Sequence, residues 1–322
     1  MSETPVRALF APIEPFHHGY LPEWDGHQIY FEQCGRADGV PMLFLHGGPG
    51  SGCSAKHRQL FNPHQSHVVL FDQRGCGRST AIDPLMNNHT QGLIEDIERL
   101  RLHLKISKWW VVGGSWGAGL ALAYASAHAH ACMGLILRGV FLSRPTDLQW
   151  FFQDARQCMP DAWQALAQHV PVQNHDDLAP YLFHHMLNAS DEAALPLAQA
   201  WQVWENALTQ RCFSPSKPSP LSSTEASALL KKYRLQSHYL KHLCFFPAAG
   251  LLSQTSALHD LPIHLLHGRL DWICLPEAAW AVHQALPHSR LQWVDNAGHN
   301  PFETTFSQAM VQAIEDAVAA WH

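Results

Sequence analysis

The apolar positions of this chain follow two different rhythms. Up to residue 141, short uninterrupted apolar runs alternate with stretches in which apolar residues recur every three or four positions. The runs include Pro41-Met42-Leu43-Phe44-Leu45, His67-Val68-Val69-Leu70-Phe71-Asp72, residues 109–114 and Gly134-Leu135-Ile136-Leu137-Arg138. A strand that is apolar throughout is covered on both faces, which predicts a mostly parallel sheet packed between helices. Helical spacing covers residues 92–104 and the Ala/Leu stretch from 116 to about 131. Ahead of these, Gly19-Tyr20-Leu21 and residues 27–32 flank an Asp25-Gly26 turn and predict an antiparallel entry to the sheet.

After Phe141 the strands stop. Residues 142–256 carry Trp, Phe, Ala and Leu at helical spacing, as in Trp150-Phe151-Phe152 and residues 198–205. Residues 214–220 form a Ser/Pro loop on composition. The first rhythm resumes with a strand at 261–268, a helix at 278–285, a strand at 290–294 and a helix at 306–321. The expected architecture is α/β: a discontinuous core of residues 1–141 and 257–322 around an eight-stranded sheet, with a helical cap inserted over 142–256.

Composition narrows the partners. The chain has 322 residues, 21 basic against 27 acidic, giving a net charge of −6. It carries no basic block, so neither nucleic acid nor an anionic membrane is an implied partner. Residues 1–7 lack the basic start and apolar core of a secretory signal. The uncharged run 109–127 is long enough to span a membrane, but four glycines and a serine divide it into a strand and a helix. Eight cysteines lie scattered without a CxxC, as expected of reduced thiols in a cytoplasmic protein. His238 and His242 stand four apart in a helical stretch, yet the glutamate of an HExxH zinc site is missing, and no metal is expected.

Chemistry enters at Gly113-Gly114-Ser115-Trp116-Gly117. Gly-x-Ser-x-Gly between a strand and a helix is the nucleophile elbow, a sharp turn that leaves the serine hydroxyl exposed at the sheet's carboxyl edge. Three fixed positions arise by chance in about one chain in ten, so the partners decide. A serine hydroxyl needs a general base, itself oriented by a carboxylate. In this arrangement the order along the chain is serine, acid, histidine. Asp271 follows the strand ending in His267-Gly268, and His299 follows the last strand in Gly298-His299-Asn300-Pro301. Two N–H donors must meet the oxyanion. One is that of Trp116, and the other belongs to a glycine-rich loop after an early strand, which His46-Gly47-Gly48-Pro49-Gly50 fits.

Leu45-His46-Gly47-Gly48-Pro49-Gly50, Phe71-Asp72-Gln73-Arg74-Gly75-Cys76-Gly77-Arg78-Ser79 and the elbow together closely resemble prolyl aminopeptidases (proline iminopeptidases) of the α/β-hydrolase fold. Leu137-Arg138-Gly139-Val140-Phe141, Trp201-x-x-Trp204-Glu205 and His267-Gly268-Arg269-x-Asp271 extend the resemblance across nearly the whole chain. The resemblance implies Ser115 as nucleophile, His299 as base and Asp271 as its orienter, with the oxyanion held by the Gly48 and Trp116 N–H groups. It implies Glu205 as the acid that binds the substrate's amine, and Arg138 and Phe141 as pocket residues. The implied substrate is a small peptide with a free N-terminal proline, and neither metal nor organic cofactor is required. Two positions depart from the family: Gln236 where a second acid is common, and Phe151 where a tyrosine is usual. Both bear on proline preference more than on hydrolysis. Cys274, three residues past the acid, is placed either beside the site or in the core. An esterase or amidase with the same triad, and a hydrolase-like binding protein, are the alternatives. Dehalogenase and epoxide-hydrolase chemistry would need an aspartate where Ser115 stands.

Overall fold

The computed structural model describes residues 9–214 and 220–321. Residues 1–7, read above for a signal, and most of the 214–220 loop lie outside the described residues. The amino-terminal part contains β1 (His17–Tyr20), β2 (His27–Gln28), β3 (Tyr30–Gly35), β4 (Val40–Leu45), α1 (Ala55–Arg58) and β5 (Ser66–Phe71). It continues through β6 (Thr80–Ala81), α2 (Thr90–His103), β7 (Trp109–Gly114), α3 (Trp116–Ala127) and β8 (Cys132–Arg138). A helical stretch follows: α4 (Pro145–Phe152), α5 (Pro160–Ala167), α6 (Leu178–Asn188), α7 (Asp191–Gln210) and α8 (Ser223–Lys241). The chain then closes with β9 (Ile263–Gly268), α9 (Pro276–Ala285), β10 (Arg290–Val294) and α10 (Thr304–Ala319). No strand is found between β8 and β9 among the described residues.

Eight strands form one sheet in the order β1-β3-β5-β4-β7-β8-β9-β10. The β1–β3 and β3–β5 pairs are antiparallel, and every pair from β5 to β10 is parallel. Alternate side chains along each strand enter two separate cores. Leu43, Val111, Leu135 and Leu137 face one, and Met42, Phe44, Val112 and Ile136 face the other. Both faces are therefore dry, which is why these strands read as unbroken apolar runs. Truncating such a residue to alanine costs about 2–5 kcal/mol.

One expectation needs correction. Residues 27–32 form two strands rather than one. His27–Gln28 pairs with Thr80–Ala81, whereas Tyr30–Gly35 joins the large sheet. Residue spacing could not reveal the break, because the partner of the first piece lies some fifty residues further on.

Strand order reverses around β4, whose outgoing connection leads to β5 on one side while β7 lies on the other. Loops leaving the carboxyl ends of strands diverge at such a point and open a crevice. Here the diverging loops are 46–52 after β4 and the turn at Ser115 after β7. The helical stretch roofs that crevice. In α7, Leu197, Ala198, Trp201, Trp204 and Leu208 recur at helical spacing and are buried. Ser190 caps α7, and a Ser222–Glu225 capping box opens α8. Among the described residues, no helix is long and apolar enough to cross a membrane.

Candidate active site

Ser115 stands between β7 and α3 with φ 58° and ψ −126°. For a residue with a side chain this backbone costs on the order of 1–3 kcal/mol, so the surroundings must impose it. The Ser115 N–H donates to the Arg138 carbonyl at 3.0 Å, and the Ser115 carbonyl accepts from Ala118 at 2.9 Å. The flanking glycines permit the tight packing. A Cβ on Gly113 would strike the Gly117 carbonyl, and one on Gly117 would strike the Leu45 carbonyl. The elbow is thus wedged between its own helix and the end of β4.

Asp271 and His299 meet on the adjoining loops. His299 Nδ1 lies 2.7 Å from Asp271 Oδ2, while Asp271 Oδ1 accepts the Ile273 and Cys274 N–H groups, each at 2.9 Å. Burial pushes the Asp271 carboxyl up, but His299, its hydrogen bond, His267 and the Cys274 N–H together hold it below the usual carboxylate range. A carboxylate in that state favours the tautomer with Nδ1 protonated, which leaves Nε2 able to accept a proton. The Ser115 hydroxyl is turned toward Cys274 Sγ, 3.9 Å away. Nucleophile–base hydrogen bonds in unliganded enzymes are commonly loose and tighten with substrate. Burial raises the Cys274 thiol well above its ordinary range, so it stays protonated beside the serine. That settles the open question of its position: it lies next to the site.

The loop after β4 packs directly on the nucleophile, and a Cβ on Gly47 would stand 3.3 Å from that of Ser115. Gly48 adopts φ 115°, a conformation suited to glycine. Trp116 is the first residue of α3, so its N–H has no acceptor within the helix. Gln73 ties these parts together. Its Oε1 accepts from Trp116 Nε1 at 2.8 Å, its Nε2 donates to the His46 carbonyl at 3.0 Å, and its N–H donates to His46 Nε2 at 3.1 Å. Asp72 holds the same junction, accepting from the Cys53 N–H at 2.7 Å and the Arg78 N–H at 2.8 Å. Sequence reasoning quoted Gln73 only within a motif and assigned it nothing. Its signal is a polar residue two positions past a fully buried strand.

A cavity of about 320 Å³ extends from Ser115 to the underside of the helices. Gly48, Arg138, Phe141, Phe151, Glu205, Gln236, Cys274 and His299 all line it, so the expected pocket residues meet there. The Trp116 ring is instead buried in the core behind the elbow, and only its N–H concerns the site. Arg138 braces the base, donating from Nη1 to the His299 carbonyl at 2.8 Å. Glu205 Oε2 accepts from the Tyr233 hydroxyl at 3.0 Å, and Glu205 Oε1 pairs with Lys232 Nζ at 3.0 Å. Neither Lys232 nor Tyr233 was singled out from the sequence. The helices also grip the histidine loop, since Arg211 pairs with Glu303 at 3.0 Å and Glu303 accepts the Gly298 N–H at 3.2 Å. His238 and His242 both hydrogen-bond backbone carbonyls. Their ring nitrogens face the carbonyls of Asn88 and His238, at 2.7 and 2.8 Å.

Fold and site define a hydrolase with a strand-end serine, a histidine–aspartate pair and a helical cover. Residues 40–305 match the family model described as alpha/beta hydrolase fold. A probable proline iminopeptidase of Leptolyngbya boryana is 39% identical over 98% of both chains. The proline iminopeptidase of Xylella fastidiosa strain 9a5c is 41% identical over 97% of this chain and 100% of its own, and that of Arabidopsis thaliana 38% over 96% and 82%. Among solved structures, VinJ superposes with a TM-score of 0.67 at 19% identity over 94% of this chain and 100% of its own, a likeness of fold alone. The chain belongs to the proline iminopeptidase family of α/β hydrolases.

Proposed function

We propose that this protein is a serine aminopeptidase that releases an N-terminal proline from short peptides and prolyl amides. The observation that supports this most is that one cavity is lined both by Ser115 and His299, from the loops at the strand ends, and by Phe151, Glu205 and Gln236, from the helices. Ser115 attacks the prolyl carbonyl while His299 Nε2 takes its proton, and Asp271 stabilises the imidazolium that forms. The Gly48 and Trp116 N–H groups receive the oxyanion. His299 then protonates the departing amine, and water resolves the acyl-enzyme. Phe141 and Phe151 supply apolar walls for the ring, and the secondary ammonium is drawn to Glu205.

Residues 142–256 act as the lid over this chamber, with 1–141 and 257–322 as the catalytic core. A roofed chamber of that size suits a short peptide and excludes a folded substrate. All eight cysteines are free thiols, in keeping with a reducing, cytoplasmic setting.

The test compares prolyl-arylamide with N-acetylprolyl-arylamide in the wild type and in Glu205→Gln. Prolyl-arylamide should be much the better substrate, and Glu205→Gln should raise its KM about ten- to a hundredfold, the worth of one hydrogen bond to a charged group. Intact turnover in Glu205→Gln, or a clear preference for simple acyl esters, would favour an esterase instead.

A further inference from the structure

Glu205, the carboxylate proposed to meet the substrate amine, already holds a cation. Lys232 Nζ sits 3.0 Å from Glu205 Oε1 and 3.4 Å from the Tyr233 hydroxyl. The Tyr233 hydroxyl occupies the other carboxylate oxygen. Lys232 reaches this position from outside the chamber, since it lines a neighbouring cavity shared with Gly50, Ser51 and Cys76. One helical turn further along α8, Gln236 faces the chamber itself. Gln236 is 8% exposed, and its Oε1 is buried without a hydrogen-bond partner. A buried carbonyl left unpaired costs free energy unless something supplies a donor.

We propose that Lys232 is a built-in counter-ion that cancels the charge of Glu205, so that the prolyl nitrogen is recognised chiefly as a hydrogen-bond donor, with Gln236 Oε1 as its open acceptor. This rests on the assignment of Glu205 to the amine subsite. A carboxylate within ion-pair distance of a lysine attracts a second cation far less than a free one does. The half-buried Lys232 and the neutral Gln236 act in the same direction: both lower the negative charge that meets the substrate. The enzyme then discriminates weakly between a charged ring nitrogen and a neutral one that keeps its N–H donor.

Two substrates and two variants test this. Prolyl-arylamide carries the ring ammonium, and pyroglutamyl-arylamide carries a neutral lactam N–H in its place. Lys232→Gln keeps a hydrogen-bond donor toward Glu205 and removes the charge, and Lys232→Met removes both. In either variant the KM for prolyl-arylamide should fall about three- to tenfold, with kcat little changed, and the ratio of kcat/KM between the two substrates should widen by a similar factor. An unchanged KM in Lys232→Gln, or a raised KM in Lys232→Met, would overturn the proposal and make Lys232 a strut for Glu205. Glu205→Gln separates the two levels. If it leaves prolyl turnover intact, the subsite assignment itself has failed. If it impairs turnover while the lysine variants leave KM where it was, only the counter-ion has failed.

Discussion

The two ends of the cavity are built on opposite plans. At the strand edge, both Asp271 carboxylate oxygens have hydrogen-bond partners. The carboxylate accepts two backbone N–H groups and the His299 ring, and the His299 carbonyl is held by Arg138. At the helical edge, a lysine occupies Glu205 while the Gln236 carbonyl waits without a partner. The strand edge is preorganised for one chemistry, whose charges develop at fixed points. In the function proposed above, the polar groups of the helical edge exchange partners when substrate arrives. Selectivity can therefore drift in the helices while hydrolysis stays fixed in the sheet.

Substitutions should separate the two ends by size of effect and by which kinetic constant moves. Ser115→Ala should lower kcat by about 10⁶, since removing a triad nucleophile leaves only binding and the oxyanion hole. Steady-state turnover of prolyl-arylamide, measured at high enzyme concentration, reads this. Asp271→Asn should cost about 10⁴ in kcat with KM nearly constant, because the His299 ring loses its imposed tautomer. Gln73→Leu should lower kcat about a hundredfold. It frees both the His46 loop and Trp116, and small misplacements of catalytic groups cost that much. A KM effect larger than the kcat effect at Gln73 would break the contrast, placing that residue in recognition. Phe151→Tyr, at the helical edge, should be the mildest, changing KM by less than about tenfold, the scale of one neutral hydrogen bond.

Asp271 also makes a prediction about pH. Its carboxyl titrates below the ordinary range in the folded chain, so its charge stabilises the fold above the unfolded value, about 3.9. That stabilisation is lost as pH falls through the lower folded value. The difference in thermal midpoint between wild type and Asp271→Asn should thus be constant near neutrality and shrink below about pH 4. A gap that widens on acidification would mean that the aspartate is held protonated.

What the sequence revealed follows the same division. The candidate triad of Ser115, Asp271 and His299 was legible because each follows a strand and comes in the required order, and the structure brings Asp271 and His299 into contact. The parallel sheet was legible because dry faces leave unbroken apolar runs. Glu205 was legible only through resemblance, since on α7 it reads as any polar helix residue. Lys232 and Tyr233 were not legible at all, because their partner lies 27 and 28 residues away on another helix. Gln73 was visible as a residue but not as a link, which depends on how β4, β5 and β7 converge. The split of residues 27–32 was hidden for the same reason. Contacts between distant elements are where residue spacing stops being informative.

In the proposed function, the strained turn after β7 presents Ser115 as an activated nucleophile. A fluorophosphonate probe followed by peptide mapping tests this most directly, because only an activated hydroxyl is phosphonylated. One label per chain is expected, on Ser115, absent from Ser115→Ala and strongly slowed in Asp271→Asn. A native protein that takes no label, or a label that persists in Ser115→Ala, would contradict it.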